Sequence, residues 1–234
     1  MVAMLAGCSA ALGIDDLHPP TIHGVVRDLL NSTVPNVSVA LYREPEGGAP
    51  GGAHLDDATT DGQGRFEFPI TAALPINVYL DLGDAGFVRT VDHLTQPVVD
   101  HSDVDVELLT LTTAGLRMLA SDAHETQDPA RSVVIAQVIE ADGSAVVGAT
   151  VHAAVHARAG DPGTDVPQIC YTDASGAPCA LGTTRDDGLA WLFDVPETAS
   201  LTISAADGAG HSHTASLSVV AGPGLVFTAV RPAP

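Results

Sequence analysis

Lysine is absent from this chain; every one of the nine Lys+Arg residues is arginine. That excludes Schiff-base chemistry, P-loop lysines and Ser-Lys dyads together. Positive charge is scarce overall, with nine basic residues against 29 acidic ones and a formal net charge of −20. Such a surface repels phosphate backbones and anionic lipid head groups, so no nucleic-acid partner is expected. Aromatic residues make up 4% of the chain, which leaves little for base stacking or sugar platforms. No run approaches 18 apolar residues, the length a spanning helix needs. Catalytic signatures are missing as well. There is no Gly-x-Ser-x-Gly elbow, no His-Glu-x-x-His, and no Gly-x-Gly-x-x-Gly following a strand.

What is present is turn-rich globular sequence. The 234 residues suit one large domain or two small ones. Apolar residues reach 45%, while 23 glycines and 16 prolines make the chain turn often. The three cysteines divide by position. Leu5-Ala6-Gly7-Cys8 resembles the lipobox of bacterial lipoproteins, whose cysteine carries the lipid after cleavage. The apolar stretch before Cys8 is too short for a complete export signal, so a fuller one is expected upstream. Cys170 and Cys179 flank Asp173, Ser175, Gly176 and Pro178, a hairpin-turn composition. A disulfide closing this loop is expected, since oxidised pairs belong to exported proteins. It would stabilise by roughly 2–3 kcal/mol on the loop-entropy model. A zinc pair is the rival reading, but the spacing is not that of a zinc knuckle.

Residues 1–20 therefore read as a signal remnant, lipobox and tether. From Thr21 the pattern is short apolar runs of period two, broken by turns. Four of these are Asp-Gly pairs: Asp61-Gly62, Asp142-Gly143, Asp187-Gly188 and Asp207-Gly208. Strands spaced this way predict an all-β sandwich or barrel. The pattern occurs twice, over 21–111 and 132–234, and each copy is large enough to bury a core. Between them, at 112–131, Leu116, Leu119 and Ala120 share one helical face behind a cap at Thr112 or Thr113, followed by a polar linker.

Both copies resemble carboxypeptidase regulatory-like domains, a transthyretin-like β-sandwich module. The likeness rests on Ile22-x-Gly24-x-Val26, on Val34-Pro35-x-Val37-x-Val39, and on Thr59-Thr60-Asp61 leading through Gly64 to Phe66. In the second copy Val146 to Val151 and Thr183-Thr184 with Gly188 match, while Ala136 or Gln137 stands where the opening glycine belongs. The resemblance implies two tandem transthyretin-like or Ig-like sandwiches and a non-catalytic module appended to surface proteins, peptidases or transporters. Related pilin-type sandwiches are stapled by Lys–Asn isopeptide bonds, which a chain without lysine cannot form.

Candidate chemistry is sparse. His211-Ser-His213, read as a strand, points both imidazoles one way, a spacing that can ligate one metal. Intradiol dioxygenases use such a pair with two tyrosines, and Tyr171 is the only tyrosine of the second copy. Surface histidines are the preferred reading, and no metal or cofactor is expected. His152 and His156 stand too far apart along one strand for one ion. Asp103, Asp105 and Glu107 form a carboxylate stripe that could attract Ca²⁺ but is expected to solvate a strand and guard its edge.

These features point to a non-catalytic binding or structural module of the bacterial envelope, in the outer membrane, periplasm or cell surface. It would meet the membrane only through a lipid at Cys8, and its partner would be an envelope protein or glycan. Two rivals stand beside it: a metal-dependent enzyme using His211 and His213, and an accessory subunit of an envelope peptidase or transport complex.

Overall fold

The structure is a computed structural model. It describes residues 19–28, 30–44, 52–83, 86–99, 102–123, 125, 127–128, 130–156, 163–166, 168–172, 178–180, 182–196, 198–219 and 224–232. The expected lipobox lies outside them. The first half supplies β1 (Thr21–Arg27), β2 (Ser38–Arg43), β3 (His54–Thr59), β4 (Arg65–Pro69), β5 (Val78–Leu82), β6 (Arg89–His93) and β7 (Val104–Leu109). Helix α1 (Thr113–Asp122) follows. The second half supplies β8 (Ser132–Val138), β9 (Thr150–His156), β10 (Thr164–Asp165), β11 (Ile169–Thr172), β12 (Pro178–Ala180), β13 (Leu189–Val195), β14 (Thr198–Ala206), β15 (Ser212–Val219) and β16 (Gly224–Pro232).

The strand pairing repeats. In the first half β1 lies between antiparallel β4 and parallel β7, and β2 lies between β3 and β5 with β6 beyond. In the second half β8 lies between antiparallel β13 and parallel β16, and β9 lies between β10 and β14 with β15 beyond. Strands β11 and β12 are additions outside β13. The sheets are open at their ends.

One buried threonine in each half fixes this arrangement. The Thr60 hydroxyl donates to the Val34 carbonyl and accepts from the Val37 N–H, both at 2.9 Å. The Thr184 hydroxyl does the same with Val146 and Ala149, at 2.6 and 2.9 Å. Beside each threonine a glycine with φ near +70°, Gly64 at +73° and Gly188 at +69°, accepts from the N–H of Val26 or Val138. A side chain at either glycine would be strained by that backbone and crowded by the Val26 or Val138 carbonyl. The Thr-Thr-x-x-x-Gly spacing thus has a mechanical meaning: the hydroxyl clamps the connection after β1 or β8, and the glycine four residues on holds the end of β1 or β8 itself.

The four Asp-Gly turns behave alike. Asp61, Asp142, Asp187 and Asp207 each accept from a backbone N–H two residues on, with distances of 2.8–3.0 Å.

The opening glycine has a specific purpose. Gly24 lies opposite Phe66, whose ring covers its bare backbone; an added Cβ would sit 2.0 Å from Cζ. In the second half Ala136 is the counterpart of Gly24, and it faces Ala190. The missing opening glycine is thus matched by the missing ring.

Three apolar clusters result. Ile22, Leu41, Phe68, Leu80 and Leu108 fill the space between the two sheets of the first half. Val134, Val151, Leu192, Leu201 and Val230 do so in the second. The third lies under α1, where Leu116, Leu119 and Ala120 cover Val133, Ile135, Phe193 and Leu225. The helix begins where expected, with the Thr112 hydroxyl accepting from the Gly115 N–H at 3.0 Å. The segment after it differs from a loose polar linker. Asp194, at φ +57° in an irregular stretch of β13, accepts from the Asp128 N–H and pairs with Arg131 at 2.8 Å, while its own N–H donates to Gln127.

Gly24→Ala is expected to destabilise the protein by about 1–3 kcal/mol through overpacking. In a Phe66→Ala background the same change should cost far less. A double-mutant cycle by denaturant unfolding checks this, and additive effects would refute the interlock.

Candidate functional site

The most distinctive place in the molecule is the seam between the halves. Strand β16 pairs in parallel with β8 on one side and with β6 of the first half on the other, Arg89–Asp92 against Gly224–Phe227. One sheet therefore runs from β3 through β2, β5, β6, β16, β8 and β13 to β11. Alternate residues of β16 feed both neighbouring clusters: Val226 packs with Val91, while Leu225 sits under α1. Beyond the shared strands, the Arg231 guanidinium donates to the carbonyls of Leu94, at 3.1 Å, and Thr95. Gln96 reaches the Asp142 carbonyl at 3.4 Å, over Gly143, where a Cβ would strike the Gln96 amide.

On the first-half side of the seam a row of rings crosses four strands. His54, Tyr42, Tyr79 and His93 are register partners on β3, β2, β5 and β6. The tyrosines stack at 5.0 Å and 6°. His54 meets Tyr42 edge-on and His93 tilts against Tyr79. His93 is held by Glu44 at 3.0 Å, and Arg89 pairs with Asp81 beside the row. Because the ring faces are turned on one another, the row offers edges and hydroxyls, not an open face for a sugar ring.

Asp92 lies across from Leu80 on one side and Phe227 on the other. Burial pushes its carboxyl up to about 6, partly offset by neighbouring His93. Period-two reading gives no hint of this, since Arg89-Thr-Val-Asp-His93 looks like an ordinary edge alternation.

The candidates named from sequence are not brought together. His211 lies in the turn before β15, not in it; its side chain is 71% exposed and pairs with Asp207 at 2.8 Å. His213 is on β15 and is fully buried, which corrects the surface reading; its Nε2 stands 3.7 Å from Glu140 and neither ring nitrogen has a hydrogen-bond partner. The two imidazoles therefore do not share a face. Tyr171, the remaining element of an iron site, is buried, and its hydroxyl accepts from the Val151 N–H at 2.9 Å. Among the described residues no cluster of three or more His, Cys, Asp or Glu could hold a metal. His152 is exposed and His156 half-buried on β9.

The carboxylate stripe flanks strand β7, which lies at the edge of the sheet β4-β1-β7. Asp103 accepts from the Thr21 N–H at 2.9 Å and lies 3.7 Å from His23, and Glu107 pairs with Arg27 at 3.1 Å. These acids face basic and N–H partners across β1. Cys170 is buried and disulfide-bonded. The side chain of Cys179, on the neighbouring strand β12, lies outside the described residues, as does Cys8.

No family model and no curated protein matches the chain. Among solved structures it is similar to the Bacillus anthracis TIE protein, with a TM-score of 0.33 and 10% identity over 92% of this chain and 34% of that one. A streptococcal ancillary pilin gives 0.30 and 14% over 94% of this chain and 64% of that one. A shaft pilin SpaA variant from Lactobacillus rhamnosus GG gives 0.31 and 10% over 92% and 98%. A 3-chlorocatechol 1,2-dioxygenase from Rhodococcus opacus covers 42% of this chain, at 0.28 and 12%. The chain thus spans about a third of the first and just under two thirds of the second. TM-scores of this size carry no functional inference.

Three outcomes follow. Asp92 binds its proton more tightly in the fold than in the unfolded chain, so its contribution to stability falls as pH rises from about 4 to 6. Asp92→Asn should therefore stabilise the protein at pH 7 by on the order of 2–3 kcal/mol, with the gain vanishing below pH 4. Unfolding curves across pH check it, and a gain that persists at pH 3 would refute it. His211→Ala should change stability by less than about 0.5 kcal/mol. His213→Leu removes two unpartnered ring nitrogens and should be neutral or stabilising by about 1 kcal/mol. A large loss in the leucine variant would reveal a partner for the imidazole.

Proposed function

We propose that this chain is a structural, non-catalytic module of an exported bacterial surface. On this reading it consists of two tandem transthyretin-like sandwiches of the carboxypeptidase regulatory-like kind, 21–111 and 132–234, joined by 112–131. Cys8 carries the lipid, Cys170 bonds Cys179, and the module meets an envelope protein or glycan. The observation that carries the reading is the seam. Backbone pairing of β6 with β16, the plug of α1 and the Arg231 clasp join the halves along one sheet. Independent modules on a flexible tether would need none of this. A spacer that holds something away from a membrane needs all of it. Three of the polar groups inside the fold serve mechanical tasks: Thr60, Thr184 and Tyr171 each bond backbone.

The gene extended upstream of Met1 should yield a product that takes up labelled palmitate and sediments with the envelope. Cys8→Ser should lose the label and become soluble. Non-reducing peptide maps should recover Cys170 linked to Cys179. A soluble, unlabelled parent protein, or two alkylatable thiols at those positions, would refute the corresponding part of the reading.

A further inference from the structure

The repeat equivalence makes the seam a template. Matching hydrogen bonds and registers place Val104 of β7 where Val226 stands in β16, and Thr214 of β15 where Val91 stands in β6. In the seam, Arg89–Asp92 of the first half lies parallel to Gly224–Phe227 of the second. The counterparts are Ser212–Ala215 and Ser102–Asp105. Neither makes that pairing among the described residues. Among the described residues β7 is paired only with β1, so its second backbone edge is uncovered along Val104–Glu107.

Strand β15 shows what such a segment does without a neighbour. His213 and Thr214 fall back on Pro232 and Arg231 of their own closing strand. In the first half the equivalent residues, Thr90 and Val91, have left Thr110 and Leu109 and lie on β16 instead. The Thr90 hydroxyl still reaches the Leu109 carbonyl, at 3.1 Å, and the Val88 N–H still donates to the Leu111 carbonyl, at 2.6 Å, but the strand pairing itself is gone. The fold thus contains both states of one joint, engaged in its middle and unengaged at its two ends.

We propose that the protein associates head to tail with a second copy of itself, with Ser212–Ala215 of one molecule lying parallel to Ser102–Asp105 of the next. The contact exchanges the fallback pairing of His213 and Thr214 for a longer one. It is heterologous and therefore repeats from copy to copy, ending in a ring where the rotation closes and in a filament where it does not. The register sets the buried His213 opposite Asp103, and it sets the uncharged Ser-His-Thr-Ala segment beside an edge flanked by carboxylates, so no like charges meet at the strand pair. The net charge of −20 per molecule opposes approach at long range. Assembly should therefore strengthen as salt screens that repulsion. This inference goes beyond the surface-module reading and does not depend on the anchor.

Cysteine trapping tests it in the soluble Cys8→Ser protein. Ser102 and Ser212 are both exposed, so single cysteines there leave the core untouched. Mixed S102C and S212C proteins under mild oxidation at high ionic strength should form a disulfide-linked dimer, and the S102C/S212C double variant should form a ladder of higher species. The out-of-register mixture of E107C with S212C should give at least ten-fold less dimer. Sedimentation velocity of the Cys8→Ser protein should show mass rising with concentration and with salt. Monomer at every concentration and salt, or equal trapping in and out of register, would overturn the proposal. Loss of palmitate labelling in the preceding experiment would leave it standing.

Discussion

The parallel pairing of β6 with β16 is the contact on which the rest of the architecture depends. Strand β16 closes the second half, extends the sheet of the first, and at its end turns to meet β15. Its two faces are both buried, Val226 and Val230 against one cluster and Leu225 against the helix. A strand buried on both faces reads as a continuous apolar run, and Leu225-Val-Phe does so. Removing β6 would strip one edge from β16 and take away Val91, which belongs to the second half's core although it lies in the first half's sequence. The helix is the other half of this arrangement, since its apolar face has no place to go except against the shared sheet.

Local features were legible in the sequence because they are local. Val37, Val39 and Leu41 alternate and are buried; Phe66 and Phe68 enter the core; the four Asp-Gly turns and the Thr112 cap sit where residue chemistry puts them. The seam was not legible. Arg89–Asp92 and Gly224–Phe227 are far apart in the chain, and the pairing of two short parallel segments leaves no periodic trace. The histidines failed for a related reason. His211-Ser-His213 has strand spacing, but the turn that begins at Asp207 captures His211 through two bonds to the Asp207 carboxylate, so the strand starts one residue too late for the pair to share a face. The half-buried Asp92 was hidden because one of its two flanking strands, β16 with Phe227, comes from the other half.

Acidity with no lysine gives the surface a particular character. Carboxylates are matched locally by arginines and histidines: Glu107 by Arg27, Asp81 by Arg89, Asp194 by Arg131, Glu44 by His93. Arginine's planar fork suits these fixed partners better than a mobile ammonium would. The excess negative charge remains on exposed positions, where it keeps sheet edges from pairing at random. Order in this molecule therefore comes from backbone bonding and apolar packing, with charge acting as a filter on which edges can meet.

The two opposed pairs, Gly24 with Phe66 and Ala136 with Ala190, bear on how a chain with two similar halves avoids folding onto the wrong one. Tandem repeats are prone to exchange equivalent strands while they assemble. Here the exchange is sterically marked. If β4 docked on β8, the Phe66 ring would meet the methyl of Ala136 where it needs bare backbone. If β13 docked on β1, Ala190 would leave the space over Gly24 unfilled. One hybrid is overfull and the other hollow, so each β1-type strand recognises its own partner by volume.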